Sequence, residues 1–183
     1  MTEPTVIYPP TSPREAMQTF NCNVFLGGSI SKNKGDEVRA LGDAEDWQKR
    51  LIAELPNLPV TWFNPRNKSG VWNPDTKMVI DDPDFKAQVV WELAAQEQAD
   101  ILVYYFDAEA KAPIVLMELG CFGARCYDDS DNPQVIVYCP EGFWRKGNVD
   151  IFCERYDIPC YSDRGAFVNA LTTLIEETLE EIN

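Results

Sequence analysis

Two glutamates have sequence surroundings that place a carboxylate in or beside an apolar core. Glu118 is the only charged residue in the apolar stretch Ala112–Ala124, which predicts a helix packed against a sheet. A buried carboxylate without a partner costs roughly several kcal/mol, so this one must be satisfied or functional. Glu92 borders the buried face of another predicted helix, one turn after Gln88. Enzymes that cleave a glycosidic bond usually use two carboxyl groups with separate roles.

The predicted surroundings of the two acids suggest which role each takes. Glu118 lies near the predicted N-terminus of its helix, whose field favours the ionised form of a nucleophile. Glu92 lies beside apolar neighbours, which would raise its pKa and suit it to proton transfer. The alternatives stay open: Glu118 as a buried acid neutralised by backbone amides or an arginine, and Glu92 as a member of a surface salt bridge.

Composition excludes several classes of function. The 183 residues suffice for one domain, and a net charge of −14 argues against a nucleic acid polymer or an anionic membrane as partner. Without histidine there is neither a Ser-His-Asp nor a Cys-His site. Six cysteines form no C-x-x-C motif, so we expect no metal and no cofactor. The N-terminus does not resemble a secretory signal, and buried free thiols in the cytosol are the expectation.

Strands and helices alternate along the chain, which predicts a flavodoxin-like, doubly wound sheet of five parallel strands with helices on both faces. Residues 1–22 are predicted to form an N-terminal arm, in which Val6–Tyr8 could add an edge strand, and residues 23–183 a single domain. The predicted strands are Asn23–Leu26, Val60–Phe63, Ala99–Phe106, Pro133–Tyr138 and Ile158–Tyr161, and the predicted helices are Asp43–Leu55, Asp84–Gln96, Ala112–Ala124 and Phe167–Glu181.

Polar or glycine residues follow the predicted strands at the edge where such sheets bind ligands. Two glycines allow a ligand to approach the backbone closely, although a plain turn explains them equally well. Arg66 either binds a substrate hydroxyl or phosphate or pairs with one of the many acids. Trp72, in the long loop 67–83, either stacks on a planar ligand or anchors the loop. The ligand-site residues expected at this edge are Gly27, Gly28, Ser29, Asn64, Arg66, Trp72 and Asp107.

Five short motifs occur in chain order at Phe25–Ser29, Asn64–Arg66, Gln88–Glu92, Ala99–Ile101 and Met117–Gly120. Together they resemble the nucleoside 2-deoxyribosyltransferase superfamily, and most of all its deoxyribosyltransferase-like branch. The resemblance implies that Glu118 attacks the anomeric carbon of a nucleoside and displaces the base. It also implies that Glu92 positions and protonates the leaving base. It adds Phe25, Gln88 and Met117 to the expected substrate-binding residues.

The resemblance also implies partners, and two departures from the family pattern affect the choice of substrate. The implied partners are a nucleoside or nucleotide, a free nucleobase, and a second copy of the chain that closes each pocket. Phe25 stands where the small transferases carry a tyrosine, and Ala112 where they carry an acid, for which Asp107 is a candidate substitute. Transferase and N-glycoside hydrolase therefore both stay open, as do a non-catalytic nucleotide sensor and a glycohydrolase of a dinucleotide such as NAD.

Overall fold

The computed structural model describes residues 5–16, 21–29, 46–55, 58–66, 76–127 and 133–182. In this part of the chain, strands and helices alternate along most of the sequence. The strands are β1 (Thr5–Ile7), β2 (Cys22–Gly28), β3 (Val60–Phe63), β4 (Ile101–Tyr105), β5 (Gln134–Tyr138) and β6 (Cys160–Tyr161). The helices are α1 (Pro13–Ala16), α2 (Trp47–Glu54), α3 (Pro83–Gln98), α4 (Pro113–Tyr127), α5 (Lys146–Arg155) and α6 (Arg164–Ile182).

The described strands form one parallel sheet in the order β1-β3-β2-β4-β5-β6. Without β1, this is the flavodoxin-like order predicted from the sequence, which is thereby confirmed. β1 extends the sheet beyond the five predicted strands by pairing with β3, with Val6 opposite Trp62. The edge strand therefore lies inside the segment predicted to be an arm.

Each face of the sheet is covered by its own hydrophobic core. Helices α2 and α6 cover one face, where Trp47 and Leu51 pack with Phe167 and Leu171. Helices α3, α4 and α5 cover the other face. Strand residues alternate between the two cores because successive side chains of a strand point to opposite faces. This alternation places Tyr104 with α3 and α4, whereas Tyr105 stacks on Trp47 with ring centroids 4.4 Å apart.

Helix α3 differs in two ways from its prediction. It begins at Pro83, and the cap is Asp82, whose carboxylate accepts hydrogen bonds from the backbone amides of Asp84 and Phe85. The predicted buried face ran through Phe85, Val89, Leu93 and Gln96, but Leu93 is 42% exposed. Gln96 is buried as predicted, Phe85 and Val89 are half-buried, and Trp91 and Ala95 are the further buried residues.

Two other helices also compare instructively with the sequence. Helix α4 begins at Pro113 and packs against the sheet as predicted, and its outer side exposes Ile114, Met117 and Cys121. Helix α5 was not predicted, since its buried residues number only Val149 and Cys153 and no side chain caps its N-terminus. None of the helices in the described residues is long and apolar enough to cross a membrane.

Candidate active site

Glu118 is almost buried, with 8% of its surface exposed, in the second turn of α4. Its Oε1 accepts a hydrogen bond from Gln96 Nε2 at 3.1 Å. The Tyr104 hydroxyl donates in turn to Gln96 Oε1 at 2.7 Å. Gln96 and Tyr104 are both fully buried, and Tyr104 lies on β4 opposite Gly27 of β2. A strand therefore fixes the amide that holds the carboxylate.

Glu92 is half-buried on α3 and is held by an amide of the same kind. Gln88 Nε2 lies 2.8 Å from both Glu92 Oε1 and the carbonyl oxygen of Pro65. Gln96 Nε2 also lies 3.3 Å from the backbone carbonyl oxygen of Glu92. Helix α3 thus supplies one of the acids and both of the glutamines that orient the pair.

The pKa values of both carboxyl groups are raised. Burial, followed by the charge of Glu92, raises the pKa of Glu118 from 4.5 to about 8, and the Gln96 hydrogen bond opposes this. Burial also raises the pKa of Glu92, opposed by the hydrogen bond from Gln88. The direction of the pKa shift of Glu92 agrees with the expectation. The expectation that a helix N-terminus keeps Glu118 ionised is wrong, because the helix field falls off within the first turn and burial dominates.

In two interacting carboxyl groups, the ionisation of one disfavours the ionisation of the other. Such a pair can present an ionised oxygen on one residue and an acidic proton on the other. Since the charge of Glu92 contributes to the raised pKa of Glu118, protonating Glu92 favours the ionised form of Glu118. The arrangement suits a reaction that needs a nucleophile and a general acid together.

Gln96 and Tyr104 were not identified from the sequence as site residues. Gln96 was assigned to a buried helix face, and Tyr104 to a central strand, where a polar group needs a partner. This need for a hydrogen-bond partner could have identified both residues, since both are polar at positions predicted to be buried. Phe25 lacks the hydroxyl that the family resemblance leads us to expect on the first strand of the domain. Tyr104, on the neighbouring strand, has a hydroxyl that is linked to the Glu118 carboxylate through Gln96.

The structure places the residues of the first motif against other side chains. Phe25 is 1% exposed and belongs to the core, so it does not line an open site. A Cβ on Gly27 would come within 3.0 Å of the rings of Phe25 and Tyr104. A Cβ on Gly28 would come within 2.7 Å of the Tyr105 carbonyl oxygen, and closer still to the Trp47 ring. The glycines therefore make room for aromatic packing at the ends of β2 and β4.

The second motif turns toward α2. Asn64 is buried, and its Oδ1 accepts a hydrogen bond from the backbone amide of Arg66 at 3.0 Å. Arg66 Nε lies 2.9 Å from Gln48 Oε1 and 3.7 Å from Asp46 Oδ1. The open alternative of an arginine paired with an acid is thus observed. Burial lowers the pKa of Arg66, an effect that Asp46 opposes.

The remaining predicted site residues are Asp107, Met117 and Ser29, which the structure describes, and Trp72, which it does not. Asp107, half-buried after β4, accepts a hydrogen bond from the Glu109 backbone amide at 2.8 Å, as a turn residue does. Met117 is 63% exposed on the outer side of α4, and Ser29 is buried just after β2. Trp72 lies outside the described residues. In the described part of the chain, no group of three or more His, Cys, Asp or Glu side chains could hold a metal ion.

The described residues thus combine a flavodoxin-like parallel sheet with two carboxyl groups, Glu118 and Glu92, that interact electrostatically. Residues 21–143 match the profile of a family described as nucleoside 2-deoxyribosyltransferase like. This match covers more than half of the 183 residues, so the chain belongs to the nucleoside 2-deoxyribosyltransferase-like family. The resemblance seen in the sequence motifs is thereby confirmed. No curated protein sequence matches the chain.

Proposed function

We propose that the protein cleaves or transfers the N-glycosidic bond of a nucleoside, with deoxynucleosides as the first substrates to test, through a covalent intermediate on Glu118. The observation that carries this proposal is the pair of carboxyl groups formed by buried Glu118 and half-buried Glu92, each held by a glutamine amide. Membership of the nucleoside 2-deoxyribosyltransferase-like family supports a nucleoside as the substrate class. No metal or cofactor takes part in the proposed reaction.

In the first half-reaction, the Glu118 carboxylate attacks the anomeric carbon and the bond from that carbon to the base nitrogen breaks. The electron pair of the broken bond goes to the base, and the Glu92 carboxyl group donates the proton that the leaving base accepts. In the second half-reaction, the nitrogen of another base or a water oxygen attacks the same carbon. Glu118 then leaves as a carboxylate, and Glu92 takes up the proton of the attacking group.

The site must move its proton before the first step. The pKa of Glu118 is raised to about 8, so in the empty site at neutral pH the proton resides on Glu118. The proposed step needs the proton on Glu92. Because a proton on Glu92 removes the charge that helps to raise the pKa of Glu118, one transfer within the pair produces both the nucleophile and the acid. In the proposed mechanism, substrate binding near Glu92 drives the transfer of the proton from Glu118 to Glu92.

A base-exchange experiment tests the proposal directly. The protein is incubated with a deoxynucleoside and a different free base, and the products are separated by chromatography. A new nucleoside identifies a transferase, whereas free sugar without exchange identifies a hydrolase. Glu118→Gln is the catalytic control and Asp100→Asn is a control on a structural acid. If neither product forms with any common nucleoside, nucleotide or dinucleotide, the enzymatic proposal is wrong.

The covalent intermediate has its own test. Trypsin cleaves after Lys111 and Arg125, and Glu118 is the only carboxylate side chain in the peptide between them. Rapid acid quenching followed by peptide mass analysis should find this peptide heavier by one sugar residue. An unmodified peptide during rapid turnover would argue for direct attack by water or base. This result would leave cleavage of the N-glycosidic bond intact and remove the role of Glu118 as nucleophile.

A non-catalytic nucleotide sensor is the second candidate, and the raised pKa of Glu118 favours it, because a protonated carboxyl group hydrogen-bonds a ligand without attacking it. Fold alone does not decide between the two functions. Calorimetry that detects nucleoside or nucleotide binding, together with no product after many hours, would support the sensor. Release of nicotinamide from NAD would instead identify a dinucleotide glycohydrolase.

A second copy of the chain is the proposed macromolecular partner. Ile114, Met117 and Cys121 expose the apolar side of α4, and the exposed positions before Arg125 on this helix carry no charge. In a chain of net charge −14, an uncharged surface is where two copies repel each other least. Sedimentation should show a dimer or a larger oligomer, and Met117→Asp should weaken it.

The proposed location is the cytosol, whose reducing conditions suit the six free cysteines.

A further inference from the structure

The backbone conformation of Ala112 is unusual for a residue that carries a side chain. Its φ is 47°, in the left-handed region that favours glycine. The proline that follows it favours an extended conformation at this position, so the conformation is disfavoured on two counts. Ala112 is buried and directly precedes α4, whose second turn carries Glu118. A disfavoured conformation persists only where neighbouring contacts hold it, and such residues are common at active sites.

One side of Ala112 is held by a hydrogen bond from the loop that connects β5 to α5. Trp144 Nε1 donates to the carbonyl oxygen of Lys111 at 2.9 Å. This oxygen and the amide nitrogen of Ala112 belong to the same planar peptide unit. The indole therefore fixes one of the two groups whose relative rotation defines φ of Ala112.

The other side of Ala112 is held by α4 itself. The carbonyl oxygen of Ala112 accepts a hydrogen bond from the backbone amide of Leu116 at 3.1 Å, which closes the first turn of the helix. Glu118 follows two residues later. The backbone of Ala112 thus joins the hydrogen bond of Trp144 to the helix that carries the carboxylate, and a rotation at Ala112 would displace the first turns of α4.

The position of Trp144 is fixed by contacts of both its neighbours in the chain. Phe143 is buried, and its ring packs on Phe106, just after β4, with centroids 4.7 Å apart. The guanidinium of Arg145 lies 4.3 Å from the centroid of the Trp144 ring. The Trp144 side chain is nevertheless 51% exposed, so it contributes less to the core than a buried ring does. Its hydrogen bond to Lys111 is therefore the contribution that needs an explanation.

We propose that Trp144 is a positioning residue for Glu118. Its hydrogen bond to Lys111 holds Ala112 in the left-handed conformation and thereby sets the position of the first two turns of α4. The catalytic consequence rests on the proposed function of Glu118, because a nucleophile displaced by a fraction of an ångström reacts more slowly. Trp144 acts through the backbone and does not contact the reacting atoms.

Hydrogen exchange tests the structural part of the proposal and needs no turnover. Trp144→Phe keeps an aromatic ring and removes the indole N–H. We expect the amide of Leu116, followed by NMR, to exchange about fivefold faster in this variant. Trp91→Phe is the matched control, because it loses an indole hydrogen bond to the carbonyl oxygen of Thr11, and it should leave the exchange of Leu116 unchanged. Unchanged exchange in Trp144→Phe, or equal increases in both variants, overturns the proposal.

Turnover tests the effect on Glu118. Trp144→Phe should lower kcat about tenfold with KM little changed, since the nucleophile is displaced and the substrate contacts remain. Adding Ala112→Gly to this variant should restore most of the lost kcat, because glycine adopts a positive φ without a steric penalty. Full kcat in Trp144→Phe, or a loss that Ala112→Gly does not restore, overturns the positioning role. If the unmodified chain turns over no substrate, the proposed function fails, and the exchange of Leu116 still decides whether Trp144 holds the start of α4.

Discussion

Asp100 and Glu118 are two acids with different surroundings in the folded protein. Asp100 lies just before β4, at the amino edge of the sheet, and its Oδ2 accepts hydrogen bonds from Asn23 N at 2.7 Å and Asn23 Nδ2 at 2.9 Å. Glu118 is held by the Gln96 side chain at 3.1 Å and experiences the charge of a second acid, Glu92. Asp100 accepts hydrogen bonds from a backbone and a side-chain donor, whereas Glu118 lies near another negative charge.

The difference shows what each carboxylate contributes to the protein. The hydrogen bonds between Asn23 and Asp100 join β2 to the start of β4, which is a structural role. Burial and a like charge destabilise the ionised form of Glu118, so this residue costs stability when it ionises. Acids held in an unfavourable state beside another acid are typical of catalytic sites. The comparison therefore predicts opposite outcomes when each acid is neutralised.

The largest expected effect is on the activity of Glu118→Gln. The amide keeps the shape and the hydrogen bonding of the side chain but cannot form the glycosyl ester. We expect turnover to fall by about 10³-fold or more, measured as base release or exchange under saturating substrate. Asp100→Asn, assayed beside it, should keep kcat within about threefold because the residue lies outside the site. Equal losses of activity in both variants would end the distinction between the two acids.

The next effect concerns Glu92 and the pH dependence of the reaction. If the pair works with one proton, kcat/KM should follow a bell-shaped curve that falls when both groups are protonated and again, near pH 8, when both are ionised. Glu92→Gln removes both the general acid and the neighbouring charge. We expect a loss of activity of about 10²-fold and an apparent pKa of Glu118 below 8. An unchanged upper limb in this variant would show that the two carboxyl groups do not share a proton.

Sequence patterns were sufficient for the sheet and for the two acids, and insufficient for what surrounds them. The strand Val60–Phe63 and the nucleophile candidate Glu118 followed from apolar runs and from a single charge within one of them. The orienting contacts did not follow, because Gln96 and Glu118 are 22 residues apart and meet through packing of α3 against α4. Periodicity also placed Leu93 on the buried face of α3, although this residue is exposed and Trp91 and Ala95 are buried.

The electrostatics of Glu118 were the least predictable feature. Proximity to Pro113 in sequence indicated a favourable helix dipole, whereas the actual pKa depends on burial and on Glu92, 26 positions earlier in the chain. Desolvation and like-charge repulsion depend on three-dimensional distances that a single sequence does not contain. The position of Phe25 was hard to predict for the same reason. A residue within a binding-site motif can belong to the hydrophobic core beneath the site, as Phe25 does.

The two acids should differ again in stability, with a smaller effect. Asp100→Asn should lower the free energy of unfolding by about 1–3 kcal/mol, because charged hydrogen bonds to Asn23 are lost. Glu118→Gln should raise it. The folded pKa of about 8 exceeds the unfolded value of 4.5, so the folded chain retains a proton that the unfolded chain releases, and stability falls as pH rises through this interval. Urea unfolding at pH 5 and pH 8 should show the gain for Glu118→Gln growing toward pH 8; a gain that shrinks would contradict the raised pKa.

The smallest effect, and the one that best tests how the network works, is expected for Tyr104→Phe. Its hydroxyl donates to Gln96 Oε1, which fixes the orientation in which Gln96 Nε2 donates to Glu118. Without that hydroxyl the amide can turn, and the hydrogen bond that lowers the pKa of Glu118 is weakened. We expect kcat to fall about tenfold with KM little changed, and the upper limb of the pH profile, near pH 8, to move to higher pH. A simple packing defect in Tyr104→Phe would lower stability and leave the pH profile where it was. A shift of the upper limb therefore distinguishes orientation of the nucleophile from support of the fold.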